Sequence, residues 1–331
     1  MSDSEDLAPQ QWDQRLRDLT EVVEIGPLLF ESMSNTSYRP VAGRSVFGGL
    51  LIAQSMNASI KTVPPEFELN ETHGKFLSPG KLEKIQFRVA KLRDGRSYLT
   101  RRVDAWQGDR FIFTASMSFQ IPEPNQPQYY APPPVISASG DFKLMHTVPD
   151  GHSNIPKHVL LPEMCPPGTS RVEWGLKNLP KDHAMYPLLV KAHNDQMWLP
   201  VEFRPAVPTM YTKTGVIQFG TTLAYWMRSK GPCEGSDNYQ RAALGFHIDQ
   251  FLLGNMQANI DKGRVTMMAS LDHTMWFHNS FHMNDWLLMV IENQSASNGR
   301  ALVLGRIYRS DGVLIATAIQ EGVFRYKESK L

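Results

Sequence analysis

Two stretches of this chain, 200 positions apart (273 − 73), are weak copies of one another, and that duplication constrains the fold more than any single motif. HGKFLSPG, from His73, corresponds to HTMWFHNS, from His273. IFTA, from Ile112, corresponds to IATA, from Ile315, at an offset of 203 (315 − 112). The same element order recurs around both pairs. Val46 to Ile60 reads as a helix closed off before Pro64-Pro65. Ile85, Phe87 and Val89 alternate with Gln86, Arg88 and Ala90, the period of a half-buried strand. Phe111, Phe113, Ala115, Met117 and Phe119 repeat that pattern after a turn at Gln107-Gly108-Asp109. In the last third, a helical stretch from Arg241 to Met256 precedes strand candidates at 265–271, 286–291, 301–308 and 313–323. Ser310-Asp311-Gly312 stands where the first copy has its turn. One helix followed by antiparallel strands, twice over, predicts an α+β fold in which each sheet hides the apolar surface of a long helix.

Proline separates the copies. Sixteen of the 23 prolines fall between Pro122 and Pro208, including Pro132-Pro133-Pro134 and Pro166-Pro167. Such a density predicts no regular element, but a long linker or a surface-wrapping segment. The expected organisation is an N-terminal domain over 15–122, a proline-rich linker over 123–195 and a C-terminal domain over 196–327.

A chain of 331 residues is long enough for each half to bury its own core. A net charge of +1 without a clustered basic face predicts no nucleic-acid partner. No apolar run approaches the roughly 18 residues needed for a membrane span. The acidic, polar start lacks both a signal peptide's apolar core and a transit peptide's Arg-rich character. Cys165 and Cys233 form no C-x-x-C pair and read as free thiols. Ser329-Lys330-Leu331, at the extreme C-terminus, reads as the tripeptide that a peroxisomal import receptor recognises, which predicts the peroxisomal matrix as the location.

The second helix holds the most informative side chain. Asp249 shares a face with Gly245 and Phe246 before it and Leu252, Leu253 and Met256 after it. A carboxylate centred on such a stripe is partly desolvated, which raises its pKa towards that of a useful base at neutral pH. The alternative is a carboxylate that satisfies a local backbone donor or points outward. The first helix has no Asp or Glu between Val46 and Val63, so of the two helices only the second carries an acid at this place. Gln320 ends an apolar strand where Met117 stands in the first half, and its amide could bond a carbonyl or a water, or be an ordinary strand-end glutamine. Ser270 supplies a further hydroxyl, or a routine serine of a sheet. Asp272, His273, His278 and His282 suggest metal ligands, but no H-E-x-x-H spacing supports a metal site. The chain has no G-x-S-x-G, Walker or G-x-G-x-x-G motif. The basic stretch Leu92 to Arg102 reads as a solvated hairpin or as a partner for phosphates.

SLDHTMWFH from Ser270, WLLMVIENQSASNGRALVLGRIYRSDGVLIATAIQEGV from Trp286 and FGGLLIAQSM from Phe47 resemble the type II acyl-CoA thioesterases. HGKFLSPG and LRDGRSYLTRRV add to that resemblance. It covers both outer thirds and implies a double hot-dog fold of two tandem hot-dog domains. It also implies hydrolysis of fatty acyl-CoA, with no cofactor beyond the CoA of the substrate, and association as a homo-oligomer. The family's catalytic residues, carried onto matching positions, are Asp249, Ser270 and Gln320. Bacterial members carry Thr where Ser270 stands. The rival expectations are a catalytically silent acyl-CoA sensor and a hot-dog enoyl-CoA hydratase.

Overall fold

In a computed structural model the described residues are 7–33, 38, 45–137, 158–183, 186–206, 210–211, 217–218, 222–255 and 265–326. Helix α1 (Pro9–Thr20) leads into strands β1 (Val22–Gly26) and β2 (Leu29–Ser32). Helix α2 (Gly48–Ile60) is followed by β3 (Glu68–Phe76), β4 (Gln86–Asp94), β5 (Tyr98–Gln107) and β6 (Arg110–Gln120). The middle of the chain holds the short strands β7 (Val135–Ser137) and β8 (His158–Leu160) and the helices α3 (Ser170–Asn178) and α4 (Tyr186–Trp198). Four strands follow, β9 (Val201–Pro205), β10 (Met210–Tyr211), β11 (Ile217–Gln218) and β12 (Thr222–Ser229). Helix α5 (Asp237–Asn255) then opens the second copy, with β13 (Val265–Ser270), β14 (Asp272–Phe277), β15 (Leu287–Ser297), β16 (Arg300–Arg309) and β17 (Leu314–Tyr326).

Thirteen strands form one antiparallel sheet in the order β1-β2-β4-β5-β6-β3-β14-β17-β16-β15-β12-β9, with β13 also paired to β17. The run β4-β5-β6-β3 on one side is answered by β15-β16-β17-β14 on the other. The duplicated segments meet at the centre, where Gly74 lies opposite His273 and His73 opposite Thr274. The second duplicated pair marks a shared irregularity. Between Ala105↔Phe113 and Trp106↔Phe111 the register shifts and leaves Ile112 as the extra residue. Between Ile307↔Ala316 and Tyr308↔Leu314 it shifts again and leaves Ile315. Each bulge carbonyl accepts the N–H of the segment just beyond the seam strand, Leu77 at 2.9 Å and His278 at 2.8 Å. A bulge re-aims the chain and sharpens twist, and here it curls both halves of the sheet alike. It also displaces the simple alternation expected for 111–119: Ile112 turns inward, and Phe111 stacks on Trp106 at 4.5 Å.

The sheet encloses α2 and α5, which run antiparallel and pack directly on each other. A Cβ on Gly49 would lie 2.4 Å from the Phe246 carbonyl oxygen, and one on Gly245 would lie 3.0 Å from the Met56 side chain. Gly49 to Ser59 and Asn238 to Asp249 are buried without a break. The apolar stripe expected around Asp249 is therefore incomplete as an account. Residues 238–249 of α5 are covered on every side, by α2, α1 and the sheet, and Met256 lies outside the described residues.

The proline-rich segment is not irregular throughout. Helix α3 contains no proline, and α4 has only Pro187, in its first turn, where a missing N–H costs nothing. Parts of the segment cover the outward face of the C-terminal half of the sheet. Val159, Leu160 and Cys165 pack there with Trp226 and Leu288, and the Trp226 indole donates to the Leu160 carbonyl at 2.8 Å. Among the described residues no helix is long and apolar enough to cross a membrane. Ser329-Lys330-Leu331 lie outside the described residues.

Candidate active site

The three side chains singled out from the sequence converge. Gln320, on β17, donates from Nε2 to Asp249 Oδ1 at 2.7 Å and to Ser270 Oγ at 2.9 Å. Asp249 comes from the C-terminal part of α5, and Ser270 is the last residue of β13, which is held against β17 with Ser270 opposite Gly322. Gln320 is fully buried and Asp249 nearly so, whereas Ser270 is half-buried. Gln320 Oε1 has no protein partner among the described residues, which leaves its acceptor open within the cluster.

The first half of the chain supplies the wall opposite. The Gly49 N–H, at the start of α2, donates to the Asp249 carboxylate. A Cβ on Gly48 would lie 2.7 Å from Asp249 Oδ2 and 3.1 Å from the Phe76 ring. Glycine at 48 is what lets a carboxylate come this close to a helix N-terminus, where unsatisfied N–H groups and the helix dipole favour negative charge. Phe76 is fixed in turn by its N–H to the Leu271 carbonyl at 3.0 Å, and its ring lies 5.0 Å from that of Phe113. Sequence reasoning assigned no residue to this wall. The paired glycines of Phe47-Gly48-Gly49 were the signal, and only the packing of α2 on α5 shows which acid they face.

Burial pushes the Asp249 carboxyl up to about 6 from an ordinary 3.8, while the Gln320 amide and the Gly49 N–H pull the other way. A carboxylate with that value is mostly ionised near neutrality yet basic enough to take a proton from water. His247, two residues earlier, is fully buried and held neutral by desolvation, its value lowered to about 3.

Other sequence candidates are placed elsewhere. Asp272 pairs with Lys75 at 2.6 Å and accepts the Glu321 N–H at 3.0 Å. His278 contacts Thr317 Oγ1 at 2.9 Å, and His282 Nε2 lies 3.9 Å from Glu234. Along β14, Met275 and Phe277 point inward, whereas Trp276 alternates to the other face and packs against His73 at 5.4 Å. The basic stretch does form a hairpin, β4–β5, though Arg101 within it is 1% exposed rather than solvated. In the N-terminal half Met117 takes the place of Gln320 and touches Ser59 Oγ at 2.8 Å, so no acid–amide–hydroxyl cluster stands at the matching place among the described residues.

The family model described as the acyl-CoA thioesterase N-terminal domain matches residues 36–120, and that of the acyl-CoA thioesterase C-terminal domain matches 181–324. Acyl-coenzyme A thioesterase 8 of Mus musculus is 28% identical over 320 residues, which are 95% of this chain and 92% of that protein. Acyl-CoA thioesterase 2 of Haemophilus influenzae is 28% identical over 94% of this chain and 96% of its own length. The peroxisomal acyl-coenzyme A thioester hydrolase 1 of Saccharomyces cerevisiae is 26% identical, covering 94% of each. Among solved structures, the acyl-CoA thioesterase II TesB2 of Mycobacterium marinum superposes with a TM-score of 0.66 at 24% identity, over 95% of this chain and 99% of that one. A hot-dog-fold protein of Alicyclobacillus acidocaldarius does so at 0.64 and 17%, over 95% and 98%. The fold is thus a double hot-dog.

Proposed function

This chain belongs to the type II acyl-CoA thioesterase family and is an acyl-CoA thioester hydrolase, and from that premise we propose that Asp249, Ser270 and Gln320 activate the water that cleaves fatty acyl-CoA. The observation that carries this reading is the hydrogen-bonded convergence of the three on a carboxylate whose pKa is raised to about 6. Asp249 takes a proton from the water as its oxygen adds to the thioester carbonyl. The tetrahedral intermediate then collapses by breaking the C–S bond, and CoA thiolate leaves and recovers the proton. Because Ser270 Oγ accepts from Gln320, its own hydrogen is directed away from that amide, towards the water or the carbonyl. The Gly48 N–H, at the start of α2, is the donor for the developing oxyanion, since that of Gly49 is held by Asp249. Every step uses side chains and backbone of this chain, so the reading needs no cofactor.

Release of CoA thiol from acetyl- to long-chain acyl-CoA tests this directly. Wild type is expected to turn over, and Asp249→Asn to lose on the order of 10² or more in kcat with its fold intact, as for a lost general base. An inactive wild type that still binds acyl-CoA would instead identify a sensor. Single turnover in ¹⁸O-water separates the route above from a covalent anhydride, which would leave label in the Asp249 side chain.

We place this activity in the peroxisomal matrix, on the strength of Ser329-Lys330-Leu331 and of a relative whose name is peroxisomal. A fluorescent protein fused ahead of the chain, so that the C-terminus stays free, is expected to mark peroxisomes and to disperse when Leu331 is deleted.

A further inference from the structure

A cavity of about 660 Å³ opens at the far end of α2 from Asp249, between the last turn of that helix and the β4–β5 hairpin. Neither Asp249, Ser270 nor Gln320 lines it, and thirteen positions of chain separate Gly48 from Lys61, roughly 20 Å at the helical rise. Its volume falls within the range of small-molecule sites. The floor is apolar and buried, formed by Phe30, Phe67 and Leu99. The rim is cationic, with Lys61, Lys91 and Arg96. Lys61 is paired with Glu21 at 3.1 Å, whereas Lys91 and Arg96 have no ion-pair partner among the described residues. Of the two acids at the rim, Asp94 is neutralised by Arg101 at 2.7 Å, which leaves Glu24.

The rim is built rather than incidental. Arg101 donates from Nε to Thr62 Oγ1 at 3.1 Å and from Nη1 to the carbonyls of Arg93 and Thr100, both at 3.1 Å. One buried guanidinium therefore ties the hairpin to the end of α2 and sets the width of the mouth. Gly95 keeps the hairpin tight, since a Cβ there would lie 2.8 Å from the Tyr98 carbonyl oxygen. Arg101 also stands directly opposite Met117, the residue in the place of Gln320, so the cavity lies in the half of the fold that lacks the counterpart of the Asp249–Gln320 pair.

We propose that this cavity is a second, non-catalytic site for a phosphorylated nucleotide-type ligand, with its phosphates on Lys91 and Arg96 and its apolar portion on Phe30, Phe67 and Leu99. The negative end of the α2 dipole turns the phosphates towards the hairpin side of the rim. CoA and a free nucleotide such as ADP share this chemistry. The site does not depend on the hydrolytic mechanism and would stand if that mechanism failed.

Hydrogen exchange of the full chain, with and without free CoA or ADP, tests it. Protection of residues 61–67 and 91–99 is expected, with at least a tenfold loss of affinity at those segments in Lys91→Glu/Arg96→Glu. Both side chains are exposed, so the variant should fold, and circular dichroism checks that it does. Protection by both ligands shows that the nucleotide suffices; protection by CoA alone shows that its pantetheine arm is needed. No protection at these segments, or equal protection in the variant, overturns the proposal. So does a KM for acyl-CoA that rises in step with the lost protection at unchanged kcat, because the hairpin would then belong to the substrate's own grip.

Discussion

At the scale of single residues, Asp249 is the point where burial and chemistry meet. Its pKa of about 6 predicts an acidic limb near that pH in the profile of kcat/KM, with activity rising as the carboxylate ionises. Gln320→Met, which copies Met117 of the first half, removes a donor that favours the charged form. The carboxyl should then titrate higher, the limb should move towards higher pH, and kcat at neutrality should fall about 10- to 100-fold. The same burial affects stability. Between about 4 and 6 the folded chain holds a proton on Asp249 that the unfolded chain has lost, so this group's contribution to stability falls as pH rises through that window. The folded state of Asp249→Asn escapes that cost. Its Tm relative to wild type is therefore expected to rise from pH 4 to pH 7, by the equivalent of about 2–3 kcal/mol at most. A difference that stays flat with pH would show that Asp249 titrates normally.

At the scale of elements, two adjacent glycines perform separate tasks at the start of α2. Gly49 admits the backbone of α5, with the Phe246 carbonyl oxygen where a Cβ would need to be, and Gly48 admits the carboxylate. Gly49→Ala must push two buried helices apart and should cost about 1–3 kcal/mol in chemical denaturation, as overpacking does. In Gly48→Ala the clash falls on the Asp249 and Phe76 side chains, so activity should drop more than stability. If both variants lose only stability, the contact of α2 with the carboxylate is structural. The bulges at Ile112 and Ile315 belong to this scale too. The short repeats IFTA and IATA look unremarkable as sequence, and they are kept where the extra residue bends the sheet around its helix.

For the whole molecule, the site exists only because both halves contribute to it. Asp249, Ser270 and Gln320 come from the second copy, while Gly48, Gly49 and Phe76 come from the first, joined through the β3–β14 seam. Residues 158–331 produced alone should therefore show no thioester hydrolysis, and co-production with residues 1–137 should restore it. Activity in the C-terminal piece alone would mean that the α2 wall is dispensable. The chain spans nearly the full length of its thioesterase relatives, consistent with a unit that works undivided.

Much of this was legible in the amino-acid sequence because it is local. Alternation in Ile85 to Val89, a charge-free helix closed by Pro64-Pro65 and the two offsets near 200 reflect backbone periodicity and duplication, and neither needs distant contacts. Asp249 stood out as a carboxylate on an apolar helix, which a single element can reveal, whereas Gln320 and Ser270 read equally as routine strand residues until the family resemblance grouped them with it. The helices α3 and α4 were hidden among prolines whose density outweighed the proline-free runs between them. Tertiary structure alone decided the rest. It joined the copied strands at one seam, buried residues 238–249 of α5 on every face rather than along a stripe, and set the N-terminus of one half's helix against the acid of the other. Those outcomes depend on which surfaces meet after folding, and a carboxylate's pKa is set by what surrounds it in space rather than by its neighbours along the chain.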